Sequence, residues 1–199
     1  LPVSKPLSAY MERHSPARHI LVDAGAQWRD PLHLAGEVWH ADETPFCNGL
    51  VAALPDRPKA TAWSRQWHNL NKSARGAMSQ ELENCDEMFE GKVFSELSRI
   101  LPANSILFVG NSMPIRDMDT FFPAAGYPVQ FMANRGASGI DGIVSTALGA
   151  SAVSSDRVML VLGDVSFYHD MNGLLAAKAF NLNATIIVIN NDGGGIFSF

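Results

Sequence analysis

Four short apolar runs, each giving way to a loop of glycine and small polar residues, constrain this chain more than any other feature. The runs are ILFVG (106–110), PVQFMAN (128–134), RVMLVLGD (157–164) and ATIIVIN (184–190). None shows clean polar/apolar alternation, which is the pattern of strands buried on both faces of a parallel sheet. Helical stretches lie between them, over 141–153 (rich in Ala and Gly) and 169–180. Strands alternating with helices of this length predict an α/β fold with a doubly wound, mostly parallel sheet. Parallel strands all end on one side, so the four following loops gather at a single edge, where such sheets bind ligands.

Those loops read GNSMPIRD, ANRGASGIDG, GDVSFYHD and NNDGGGIFSF. Asp164 and Asn191 stand 27 residues apart, one strand–helix–strand unit, so a parallel crossover returns them to the same edge. A carboxylate and a carboxamide oxygen beside a glycine carbonyl suit Mg²⁺, which takes oxygen ligands and commonly keeps phosphate oxygens in its shell. A helix starting near Tyr168 or His169 would aim its N-terminus at the same point and favour a diphosphate. Spacing alone also allows a plainer reading, in which Asp164 caps a helix and Asn191-Asp192-Gly193 is a turn.

Composition excludes other classes. Fifteen Lys and Arg against twenty Asp and Glu leave a net charge of −5, against a main task of gripping nucleic-acid phosphates. Two cysteines without a CxxC give neither a disulfide framework nor a Cys-rich zinc site. No apolar run approaches the roughly 18 residues of a membrane helix, and the start lacks a signal-peptide layout. The expectation is a soluble, cytoplasmic protein binding small molecules. GxSxG, GxGxxG and P-loop motifs are absent, which removes the commonest hydrolase and nucleotide readings. The histidines show no metal-ligand spacing, and His169 is not favoured as a general base.

The earlier half carries less. A helical pattern covers 6–14 and a strand candidate 19–24, and Pro55 and Pro58 beside Asp56 and Arg57 suggest a linker. From Ala62 to Ser98 one or two amphipathic helices are expected, with Trp63, Trp67, Leu70, Met78, Leu82, Cys85 and Phe89 read as core. The division expected is 1–62, the C-terminal part of a central α/β domain and linker, and 63–199, a helical lead-in and truncated diphosphate/Mg-binding domain.

GD followed 27 residues after its Asp by the second Asn of NN resembles the magnesium–diphosphate motif of thiamine diphosphate enzymes. The usual GDG is Gly163-Asp164-Val165 here, and the four blocks in order resemble one branch, the 2-succinyl-5-enolpyruvyl-6-hydroxy-3-cyclohexene-1-carboxylate synthases of menaquinone biosynthesis. The resemblance is dense from Ile106 to Phe199. It implies that Asp164, Asn191 and the Gly193 carbonyl hold Mg²⁺ (or Mn²⁺) and that Gly163, Ser166 and Phe167 cradle the cofactor diphosphate. Ile140 would prop thiamine diphosphate in its bent form. Ser112, Arg116 and Arg135 would bind the dicarboxylate substrates, 2-oxoglutarate and isochorismate, with Ile196 and Phe197 as an apolar wall. Guanidinium groups suit that task through paired, charge-assisted hydrogen bonds.

In such enzymes the activating glutamate sits on a separate N-terminal domain, normally of a partner subunit in a homodimer or homotetramer. Glu81, Glu83, Glu87, Glu90 and Glu96 lie in the helical lead-in, away from the expected position, so no catalytic residue is identified in this chain. The start at Leu1 and the stop just after a glycine cluster predict an incomplete chain, inactive alone. Two other functions remain open: another thiamine diphosphate-dependent 2-oxo acid decarboxylase, and a non-catalytic diphosphate-binding module.

Overall fold

The computed structural model describes residues 5–25, 27–54, 60–123, 128–194 and 196. The chain divides into two compact units, Leu1–Glu81 and Leu82–Phe199.

The second unit is built on one parallel sheet. Its strands are β3 (Ser105–Val109), β4 (Val129–Met132), β5 (Arg157–Gly163) and β6 (Ala184–Ile189), in the order β4-β3-β5-β6. Every pairing is parallel, with Ser105 opposite Val129 and Arg157, and Val158 opposite Ala184. The four apolar runs are therefore the four strands, and the predicted doubly wound α/β sheet is present.

Strand side chains alternate between two cores, as a two-residue period requires. Ile106, Phe108, Val158, Leu160 and Leu162 pack with Ile143, Val144, Ala147 and Leu148 of α6 (Ile143–Val153). Leu107, Val109 and Val161 pack on the opposite face with Phe94 and Leu97 of α4 (Glu90–Ile100), and with Ile115 of α5 (Met113–Phe121). All five residues of β3 are buried, so the central strand serves both cores.

The helix expected over 169–180 starts earlier and is broken. Here α7 covers Asp164–Asp170, a 3-10 turn covers Met171–Gly173, and α8 covers Leu174–Ala179. At the break Gly173 lies against α6, where a Cβ would stand 2.7 Å from the Ser145 hydroxyl. Asp170 caps α6, its carboxylate accepting from the Ser145 amide at 2.6 Å and hydroxyl at 2.8 Å. The two helices are thus locked together by a side chain that the sequence pattern placed inside a single helix.

The first unit holds α1 (Lys5–Arg13), a parallel pair of β1 (Ile20–Val22) and β2 (Glu37–Trp39), α2 (Glu43–Ala53) and most of α3 (Ala62–Asn84). Sequence periodicity showed α1, β1 and α3 but not β2 or α2. Of its described residues only Asp23 is buried, accepting from the Gln27 amide at 3.0 Å. Trp63, Trp67 and Leu70 are 65%, 47% and 57% exposed, so their reading as core is corrected: the helical face is real, but this unit does not cover it. Pro55 and Pro58 lie outside the described residues.

Leu160 is fully buried in the centre of β5. Leu160→Ala is expected to lower unfolding free energy by about 2–5 kcal/mol in urea titrations, the ordinary effect of a large-to-small change in a close-packed core.

Candidate functional site

The sheet order creates a crevice at the carboxyl ends of β3 and β5. From β3 the chain leaves through α5 to β4 on one side. From β5 it leaves through α7 and α8 to β6 on the other. The strands part company in direction there, the switch point at which open α/β sheets bind ligands. Close approach of the two strand ends depends on Gly110, whose amide donates to the Val161 carbonyl at 2.7 Å. A Cβ on Gly110 would lie 2.9 Å from that of Leu162.

A cleft of about 440 Å³ occupies this point. Ser112, Arg116, Arg135, Ile140, Gly163, Asp164, Ser166, Asn191 and Ile196 all line it, bringing nine predicted site residues from four loops into one cavity. Gly193 lies next to the lining residue Gly194. Its φ is +80°, and a Cβ there would lie 3.3 Å from a Val165 methyl, so this loop reaches the start of α7. Phe167 turns its side chain onto the α6 core, leaving only its backbone to face a ligand. Phe197 lies outside the described residues.

The arginines are held in different ways. Arg135 donates to the Asn111 side-chain oxygen at 2.8 Å, while the Asn111 amide nitrogen donates to the carbonyls of Asn134 (3.0 Å) and Gly139 (2.6 Å). Asn111 is 1% exposed at the end of β3, so one buried side chain ties the loop carrying Arg135 and Ile140 to the central strand. It stands within the GNSMPIRD block, yet the sequence reading passed over it in favour of charged neighbours. Arg116 is exposed in the first turn and a half of α5 and donates to the Ser112 carbonyl. Ser112 takes φ +74°, ψ −128°, a conformation disfavoured for any residue with a Cβ and typical of strained ligand-facing turns.

At the other wall, Asp164 is the first residue of α7 rather than lying four residues ahead of the helix, as the sequence suggested. One of its oxygens accepts from the Val165 amide at 2.7 Å. The Asn191 amide nitrogen donates to Glu90 Oε1 at 2.7 Å, and Glu90 itself lines the cleft. The sequence reading considers Glu90 only as an activating acid and does not count it among the residues lining the cleft. Glu90 reaches the cleft from the start of α4, 101 residues before its partner, a pairing no local pattern could reveal.

Among the described residues no three His, Cys, Asp or Glu side chains gather as a metal cage. The donors lining the cleft are the Asp164 carboxylate, the Asn191 carboxamide and backbone carbonyls, with the Glu90 carboxylate engaged by the Asn191 amide nitrogen. That set fits a magnesium ion completed by phosphate and water oxygens, and is too sparse for a soft transition metal.

Residues 116–198 match the thiamine pyrophosphate enzyme C-terminal TPP binding domain. The matched stretch begins inside α5 and takes in β4, β5, β6 and three of the four loops that line the cleft. Across all 199 residues it is 54% identical to a 2-succinyl-5-enolpyruvyl-6-hydroxy-3-cyclohexene-1-carboxylate synthase of Geobacillus thermodenitrificans. Proteins of the same name from Geobacillus kaustophilus and Listeria welshimeri are 52% and 49% identical over the same length. The chain spans about a third of each relative, 33% of the first and 34% of the other two.

Two measurements probe the site's supports. Asn111→Ala removes three hydrogen bonds and strands two carbonyls. It is expected to cost on the order of 2–3 kcal/mol in urea unfolding and to open residues 134–142 to limited proteolysis. Asp117, 8% exposed on α5, has one side-chain oxygen buried without a partner. Burial first, and then the Glu90 charge, push its carboxyl up to about 6, against a smaller opposing effect of Arg116. A carboxyl that holds its proton more tightly when folded stabilises the fold at low pH, and that contribution is lost as pH rises from the usual carboxylate range through about 6. Asp117→Asn is therefore expected to raise the melting temperature more at about pH 7.5 than at about pH 4.5.

Proposed function

We propose that the cleft binds magnesium and thiamine diphosphate and belongs to an enzyme that decarboxylates 2-oxoglutarate and adds the resulting succinyl unit to isochorismate. The product would be 2-succinyl-5-enolpyruvyl-6-hydroxy-3-cyclohexene-1-carboxylate, in menaquinone biosynthesis. One observation carries the reading: Asp164, Asn191, Arg116 and Arg135 converge on one cavity at the switch point of a parallel sheet. The similarity to the synthases supports it over the whole chain.

Asp164, Asn191 and the Gly193 carbonyl would hold Mg²⁺, and through it the diphosphate. The backbone around Gly163, Ser166 and Phe167 would receive the remaining phosphate oxygens. Ile140 supplies an apolar prop at the cleft wall. Thiamine diphosphate, when bound, supplies the electron sink that decarboxylation of a 2-oxo acid requires. Ser112, Arg116 and Arg135 would orient the carboxylates of both substrates. Anchoring Arg135 on buried Asn111 lowers the entropy lost when its guanidinium engages them. Ile196 and Phe197 would exclude water, so that the succinyl unit is transferred rather than protonated.

No side chain in this chain is assigned as the activating acid, which in this reading comes from a domain outside these residues, in a homodimer or homotetramer. Residues 1–62 would close the domain before it and 63–199 would make the lead-in and diphosphate-binding domain. Among the described residues no helix is long and apolar enough to cross a membrane, in keeping with a cytoplasmic enzyme.

Two arginines in the cleft favour dicarboxylate substrates over the small apolar 2-oxo acids of a simple decarboxylase. The test is to titrate the chain with thiamine diphosphate, with and without Mg²⁺, and to follow CO₂ release and isochorismate loss. Binding that requires Mg²⁺ and weakens at least about tenfold in Asp164→Ala is expected, with no turnover until a region bearing the activating glutamate is supplied. Binding indifferent to Mg²⁺ would overturn the reading. CO₂ release without isochorismate loss would favour the plain decarboxylase.

A further inference from the structure

We propose that Glu90 is a positioning residue for the cation site: it anchors the amide nitrogen of Asn191 so that the amide oxygen is the end presented to the metal. The proposal rests on the reading of Asn191 as a magnesium ligand and goes beyond it to a residue on a different element.

A carboxamide has two ends of nearly equal size and opposite chemistry, a nitrogen that donates and an oxygen that accepts. A hard cation takes only the oxygen. Asn191 is exposed and opens a loop in which Asp192, Gly193 and Gly194 all have positive φ (60°, 80° and 68°). An amide in such a loop would otherwise turn freely about its last bond. Glu90 Oε1 stands 2.7 Å from Asn191 Nδ2. A carboxylate only accepts hydrogen bonds, so it selects the nitrogen end. Reversing the amide would set two oxygens against each other at that distance.

The anchor is itself on a rigid base. Glu90 is the first residue of α4, and the next residue, Gly91, is buried against two aromatic rings. A Cβ on Gly91 would lie 2.3 Å from the Phe121 ring and 2.7 Å from that of Phe89. That close fit sets the start of α4 against the end of α5, and with it the place from which Glu90 reaches the cleft. Outer partners that orient a ligand commonly govern metal affinity by 10–100-fold.

The experiment measures, for this chain, the Mg²⁺ concentration giving half-maximal thiamine diphosphate binding by calorimetry. Wild type is compared with Glu90→Gln, Glu90→Asp and Glu90→Ala, with circular dichroism and melting temperature recorded for each. Glu90→Gln keeps an acceptor oxygen at the same reach and is expected to stay within about threefold of wild type. Glu90→Asp keeps the charge but retracts the oxygen by one methylene. It and Glu90→Ala are expected to need about 10–100-fold more Mg²⁺.

Glu90→Ala and Glu90→Asp within about twofold of wild type would overturn the proposal. So would Glu90→Gln failing as badly as Glu90→Ala, since charge or direct ligation would then be the cause. If Glu90→Ala does not fold, the Gln and Asp variants decide between these outcomes. Wild-type binding that ignores Mg²⁺ would instead overturn the assignment of the metal site, a different failure with a different signature.

Discussion

The parallel pairing of β3 with β5 is the interaction on which the rest of the second unit depends. It joins the two strands whose onward connections run in opposite directions, and so creates the crevice that both halves of the site share. It also places two complete cores back to back, because Leu107 and Val109 face α4 and α5 while Ile106 and Phe108 face α6. Gly110 lets the strand ends meet without a Cβ between them. A side chain at that point would push apart the loops carrying Ser112 and Asp164, and the cleft would lose opposing walls.

Burial then turns loops into a binding surface. Asn111, enclosed at the end of β3, gives both its amide hydrogens and its oxygen to the loop that carries Arg135 and Ile140. A buried amide left unsatisfied is costly, so the requirement to pair it dictates where that loop lies. Asp170 does the same for the α6 N-terminus. In both places a short polar side chain spans elements distant in sequence, and the position of charged or apolar ligand-facing groups follows from it.

The first unit shows what local pattern leaves out. The spacing of Trp63, Trp67 and Leu70 marks one face of a helix, and α3 forms where that spacing says. The same residues stand well exposed, because periodicity reports which side chains share a face and says nothing about what packs on it. β2 and α2 were invisible for a related reason. Three residues of strand and an evenly apolar helix carry too little periodicity to stand out from the proline-punctuated stretch around them.

By itself the sequence determined the parallel sheet, its four strands and the edge at which ligand-binding loops collect. Continuous apolar runs have no other stable use than burial on both faces, and parallel strands must end together. It also brought most of the cleft's lining to that edge, since Asp164, Asn191, Arg116, Arg135 and Ile140 all stand within eight residues after a strand end. Only the tertiary structure decided that α7 begins at Asp164, that Phe167 faces the core, and that Asn111 and Glu90 support the site. The support from Asn111 and Glu90 depends on hydrogen bonds between residues 24 and 101 apart, and at such separations chain neighbours carry no record of which polar group will be satisfied by which.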